Sequence, residues 1–266
     1  IDDTAANIIS AGDSTLTNGF ISVDVTSGPV DAADGAILNA FTADVDFDVE
    51  DDAASIAAEV TGTNGAGDLD DADSVVVKPS SASDAPVSVS DAEAIQAISN
   101  YIDSASEFDV ADSAASIISA GDHVLNISGI DEITVNDGPT TASQGVELNN
   151  MSADVEFDVR DDADDIASAI SNSADALDEA NSVVVSGGNV TVSEADAIQD
   201  ISGYVGATSD YDISDTAAAI LSGGDAILDV TGVDLVTVSD GPVLASDGAT
   251  LTEYFASISF DVRDTA

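Results

Sequence analysis

Cysteine and tryptophan are absent from this chain, histidine and methionine occur once each, and lysine plus arginine number three in 266 residues. Without cysteine there are no disulfides and no thiol chemistry, and the redox compartment stays open. His123 has no second histidine or cysteine to complete a metal or nucleophile set, so no chemistry is assigned to it. No run of 18 apolar residues exists, which removes a membrane-spanning helix. A signal peptide is not visible either. Aromatics are 4% of the chain, and the 44% that is apolar is mostly Ala, Val and Ile. Side chains of that size suit thin, regularly stacked layers better than one thick core.

The scarcity of cations leaves 53 Asp and Glu almost unopposed, for a formal charge of −50. Nucleic acid and anionic membrane surfaces are therefore excluded as partners, and without a spanning run so is membrane insertion. A mean hydropathy of +0.17 shows that the charge does not signal disorder. Self-repulsion on this scale calls for salt screening or bound cations, as in sea water, brine or a calcium-rich exterior.

What the chain does have is a phrase written five times: an aromatic-Asp-aliphatic strand, an Asp cap and a short Ala-rich helix. It reads Phe47-Asp48-Val49 before Asp51 and Ile56, Phe108-Asp109-Val110 before Asp112 and Ile117, and Phe157-Asp158-Val159 before Asp161 and Ile166. Tyr211-Asp212-Ile213 before Asp215 and Ile220, then Phe260-Asp261-Val262 before Asp264, complete the series. A helix of the same type opens the chain at Asp3-Thr4-Ala5 before Ile8. A second phrase alternates with the first, built on Gly-containing turns such as Asp240-Gly241-Pro242 and Gly187-Gly188, and expanded between Lys78 and Pro86.

A period of roughly 50 residues, or about 25 per strand-helix coil, marks a repeat architecture. The expected fold is an α/β repeat, an elongated, β-helix-like solenoid of parallel strands with short helices. Its expected divisions are 1–50 (a half unit), 51–110 with the expanded turn, 111–160, 161–214 and 215–266, in one continuous solenoid. Both termini fall inside the repeat phrase and the first residue is Ile1, so the chain reads as a segment of something longer. Geometry adds a tension, because strands stack about 4.8 Å apart whereas helices need 8 to 10 Å.

Within the helices, Ala163, Ile166, Ala167 and Ile170 recur at helical spacing and form one apolar stripe. Asp51, Asp112, Asp161 and Asp215 are read as N-caps, and Ser90-x-x-Glu93 as a capping box. Strands such as Ile133-Thr134-Val135 and Val236-Thr237-Val238, with Thr191 in a third, alternate outward and inward side chains.

Acids flank the strand aromatic in four copies: Asp46 and Asp48, Glu107 and Asp109, Glu156 and Asp158, Asp210 and Asp212. Residues i and i+2 of a strand share a face, about 6.6 Å apart, so each pair points one way. Asp44 and Asp154 extend two of the rows. Rows of this kind are either a solvated acidic face or a set of sites where Ca²⁺ bridges carboxylates. Neither the EF-hand nor the glycine-rich nonapeptide spacing is present. Arg160 and Arg263 occupy the same place in their copies and are expected to pair with a neighbouring Asp. Asn126-Ile127-Ser128, Asn150-Met151-Ser152 and Asn189-Val190-Thr191 fit the glycosylation sequon, which adds glycans to the partners considered.

Ser214-Asp215-Thr216-Ala217-Ala218-Ala219-Ile220, Asp2-Asp3-Thr4-Ala5-Ala6-Asn7-Ile8 and Val190-Thr191-Val192-Ser193-Glu194-Ala195-Asp196-Ala197-Ile198 resemble "DTAANI"-type repeats. Such repeats occur in large secreted and cell-surface proteins of cyanobacteria and marine proteobacteria. The resemblance implies an extracellular stalk, adhesin or matrix component and supplies no catalytic residues. The expectation is a structural, non-enzymatic segment of a fibre, surface layer or adhesin stalk, outside the cell or on its surface, that self-associates end to end. A secreted polysaccharide-active enzyme on a β-solenoid scaffold and an ice-binding solenoid are the alternatives.

Overall fold

A computed structural model describes residues 1–17, 22–62, 69–78, 85–254 and 257–263. Residues 79–84 of the expanded turn, and Asp264 of the fifth phrase, lie outside the described residues. The chain divides into two compact units, one of Ile1–Asn136 with Ser152–Asp154, the other of Asp137–Met151 with Val155–Ala266.

In the first unit the strands Asp2–Asp3, Val23–Val25 and Val45–Asp46 form one small sheet. Asp48–Asp51 pairs with Ser74–Val77, and Phe108–Asp112 with Ile130–Val135, as two further sheets. The second unit holds a five-stranded sheet in the order Ile258–Ser259, Val233–Val238, Asp210–Asp215, Ser182–Val190, Asp158–Asp161. All of these named strand pairs are parallel, and each joins strands that follow one another in the chain.

This overturns the expectation of a single elongated parallel solenoid. Among the described residues the fold is mixed α/β, with thirteen α-helices and four separate sheets of two to five strands. The physical reason is the spacing mismatch: helices 8 to 10 Å wide cannot follow strands 4.8 Å apart through many rows. The pairing register also slips. Phe108 faces Ile130 whereas Val110 faces Ile133, and Tyr211 faces Val233 whereas Ile213 faces Val236. One extra residue sits at each of these bulges, and bulges twist a strand and interrupt its ladder.

Side-chain alternation builds the core. Phe47 and Val49 are 3% and 1% exposed, while Asp46 and Asp48 between and beside them face solvent. The helix Ala163–Ile170 buries the stripe Ala163, Ile166, Ala167 and Ile170, and Ala53–Thr61 buries Ala53, Ile56, Ala57 and Val60. Each fully buried Ile contributes about 1.5–3 kcal/mol from desolvation. Helices approach the aromatic strand through glycine, as at Gly35 and Gly145. A Cβ on Gly35 would lie 2.9 Å from Val49 and 3.1 Å from Leu69, and one on Gly145 2.8 Å from Val159 and 2.9 Å from Leu177.

Helix starts differ by one residue from the sequence reading. The N-caps are Asp52, Ser113, Asp162 and Thr216, each accepting the N–H three residues on. Ser90 and Glu93 form no capping box, because Ser88 caps the helix Val89–Gln96 and places both inside it. Capping boxes form instead at Thr141 with Gln144 and Thr191 with Glu194. Thr191 is therefore a cap and not a strand residue.

Candidate functional site

Seven of the eight acids in the proposed rows, Asp46, Asp48, Glu107, Asp109, Glu156, Asp158 and Asp210, are exposed, and Asp212 is half-buried. The register brings few of them against other acids. Asp48 and Asp158 face Ser74 and Ser182, whose hydroxyls donate to them. Glu156 accepts from Asn181 Nδ2 at 2.8 Å, while Asp210 and Asp212 lie opposite Ser186 and Asn189. Hydroxyl and amide donors thus occupy many of the neighbouring positions, which relieves the repulsion a continuous carboxylate ladder would create. One ladder does form, with Asp46 next to Asp24 and Asp24 next to Asp2 in parallel register. Asp44 and Asp46 also share a cleft of about 350 Å³ with Asp71 and Asp73.

Asp109 is the row acid most crowded by charge. Desolvation of the carboxyl by its neighbours and the charges of Glu132 and Asp131, on the bulged strand, push it above the ordinary value of 3.8 although the residue as a whole is exposed. A raised folded value means that the ionised group costs stability above it, and that the cost fades as pH falls through it toward the unfolded value. Asp109→Asn is accordingly expected to raise the melting temperature at pH 7, with the gain disappearing in acid. Thermal scans at several pH values check this.

A second set of acids carries the more regular geometry. Each lies at the end of the aromatic strand and joins two helix N-termini. Asp51 accepts the N–H of Asp52 at 2.9 Å and that of Ala32 at 2.9 Å. Asp161 does the same for Asp162 at 3.0 Å and Ala142 at 2.9 Å. Asp112 takes Ser113 at 2.7 Å and Val89 at 3.1 Å, and Asp215 takes Thr216 at 2.7 Å and Val192 at 3.1 Å. One oxygen thus serves the following helix and the other the preceding helix, where unpaired amides and the helix dipole favour a negative charge. These residues are junctions between helices, a role wider than capping.

A third set escaped the sequence reading. Asp13 accepts the N–H groups of Thr42 and Ala43 at 2.8 and 3.0 Å, across some 30 residues, and Asp122 those of Ser152 and Ala153 at 2.8 and 3.1 Å. The amide of Ala153, with that of Ser152 and its hydroxyl, holds the Asp122 carboxyl below its ordinary value against desolvation. The available signal was the word Gly-Asp after a helix, at Gly12-Asp13 and Gly121-Asp122. Gly121 sits at φ 65°, a conformation that favours glycine, and ends one helix while turning the chain into the next.

Among the described residues, one group of acids has carboxylate oxygens within 4.8 Å of one another: Asp161, Asp162 and Asp165. The charges of Asp162 and Asp161 push the Asp165 carboxyl up. In the equivalent copy Ser55 replaces Asp165 and donates its hydroxyl to Asp52. A further cleft of about 310 Å³ is lined by Asp175, Asp178, Asp196 and Asp200.

The cations do little locally. Among the described residues the only ion pair joins Lys78 to Glu50 at 2.6 Å, at the surface, while Arg160 and Arg263 reach no carboxylate within 4.0 Å. Exposed pairs of this kind contribute at most about 1 kcal/mol. His123 is exposed, as are the sequon residues Asn126, Asn150 and Asn189. The chain matches no protein-family model and no curated protein.

Proposed function

We propose that this chain is a structural, non-enzymatic repeat segment of an extracellular fibre, surface layer or adhesin stalk, self-associating and stabilised by cations. The observation that carries the reading is the fourfold use of the strand-end aspartate at Asp51, Asp112, Asp161 and Asp215. Catalysis needs one asymmetric constellation whose carboxyl groups are set apart in pKa. These acids are replicated, and their oxygens are engaged by backbone amides that fix helices to strands. That is how a unit of construction uses an acid. The resemblance to secreted and cell-surface repeats points the same way.

Cations enter through the charge of −50, whose mutual repulsion salt relieves. Specific Ca²⁺ binding is a narrower reading; outside the acid rows, Asp161, Asp162 and Asp165 are favoured most by their mutual proximity. Sedimentation velocity in salt and calcium tests the assembly, which predicts species larger than monomer that grow with concentration. A monomer at all concentrations and salts contradicts it. For calcium, chelation at constant ionic strength is expected to lower the melting temperature of the native chain and to leave Asp165→Ser less affected. An unchanged melting temperature leaves general screening alone.

A further inference from the structure

The fifth aromatic phrase differs from the other four in what covers it. Phe47, Phe108, Phe157 and Tyr211 are 7% exposed or less, and Val49, Val110, Val159 and Ile213 are 1% or less. Phe260 is half-buried and Val262 is 56% exposed. Leu244, next to the Val243 that pairs with Val262, is 55% exposed and caps its helix without a side-chain hydrogen bond, where Asp31 and Thr141 cap the equivalent helices with theirs.

The two best-matched copies show what is missing. At Gly35 and Gly145 the space beside the helix is closed by a leucine from the next segment, Leu69 or Leu177. At Gly248 the three nearest groups are Phe260, Val262 and Val243, with no leucine among them. In those copies the covering segment is an Ala-rich helix, the leucine, and a Ser-Val-Val-Val strand, Ser74–Val77 in one and Ser182–Val185 in the other, added in parallel register. Its serine hydroxyl donates to the phrase aspartate, Asp48 or Asp158. The exposed edge of Ile258–Ser259, with Phe260 to Val262, presents the same aromatic-Asp-Val pattern.

We infer that this face is a docking surface for one further repeat of the chain's own kind, an Ala-rich helix with a leucine and a Ser-Val-Val-Val strand. The strand adds parallel beside Phe260 to Val262, the leucine fills the space by Gly248, and the serine hydroxyl donates to Asp261. Strand addition supplies backbone hydrogen bonds, and the alternate side chains supply selectivity. Its use in assembly rests on the self-association proposed above, but the surface itself is testable alone.

The test extends the chain after Arg263 with a second copy of residues 161–204. Amide hydrogen exchange over residues 258–262 is expected to slow by about tenfold or more, since these edge amides move from fraying to core-like protection. Unchanged exchange, with the appended copy itself unprotected, overturns the inference. Val262→Asp in the extended protein is expected to abolish the gain, and protection that survives it also overturns the inference. Since Val262 is exposed, the same substitution in the unextended chain should leave exchange elsewhere unchanged. An unextended chain that stays monomeric while the extension is protected removes self-association and keeps the surface. A chain that assembles undiminished with Val262→Asp assembles elsewhere, and that result counts against the surface.

Discussion

Truncating Leu177 to alanine lowers the unfolding free energy by about 3–4 kcal/mol, within the range for buried leucines whose cavity persists. Leu177 is fully buried, and its Cδ2 stands 2.9 Å from the position of a Cβ on Gly145, with Val159 and Phe157 beside it. Partial collapse is what makes such truncations cheaper, and here the surroundings are held in place. The helix Ala142–Asn149 is fixed at its start by the Ala142 N–H to Asp161 and by the capping box of Thr141 and Gln144. At its other end Asn149 accepts from the Glu179 N–H at 3.0 Å and donates to Asp175 O at 3.2 Å. Leu69→Ala, in the equivalent place beside Gly35, should cost a similar amount. Denaturant unfolding at fixed high salt measures both, and a loss below about 1 kcal/mol would show that the site closes over the truncation.

Asp112→Ala is expected to cost about 2–3 kcal/mol at pH 7, because the N–H groups of Ser113 and Val89 lose a charged acceptor together. The cost is also pH-dependent. Partial burial pushes the Asp112 carboxyl up, but the amides of Ser113 and Val89 and the Ser116 hydroxyl outweigh it, and the group sits below its ordinary 3.8. A depressed folded value contributes stability above the unfolded value and loses it as pH falls through the folded one. The gap between native and Asp112→Ala proteins should therefore be full at neutral pH and close in acid below pH 3.8. Asp109→Asn has the opposite sign, so the two variants compared across pH separate acids that hold the fold from acids that strain it.

The repeated phrase and the helix faces were legible in the sequence because burial enforces a period. Phe47, Val49, Ile56 and Ala57 each stand where alternation or helical spacing puts them. The helix starts were off by one because doublets such as Asp51-Asp52 and Asp161-Asp162 offer two competent caps. Only three-dimensional packing reveals that the first of each doublet also reaches a helix 19 residues back. The capping box at Ser90 failed for a similar reason, since Ser88 stands two residues earlier with the same chemistry. Strand register was not legible at all. The bulges at Ile130–Val135 and Val233–Val238 shift it by one residue, and the small, β-branched composition is compatible with either choice. Sheet extent was misjudged because local pattern says where a strand lies and nothing about how many rows of helices can follow it. The contacts of Asp13 and Asp122 were hidden because each reaches amides about 30 residues away.

The structural role is tested most directly by electron microscopy of the purified chain at high protein concentration in calcium and salt. Ordered filaments or layers with a regular repeat are the predicted result. A field of dispersed single particles, unchanged by concentration, salt or calcium, would contradict it.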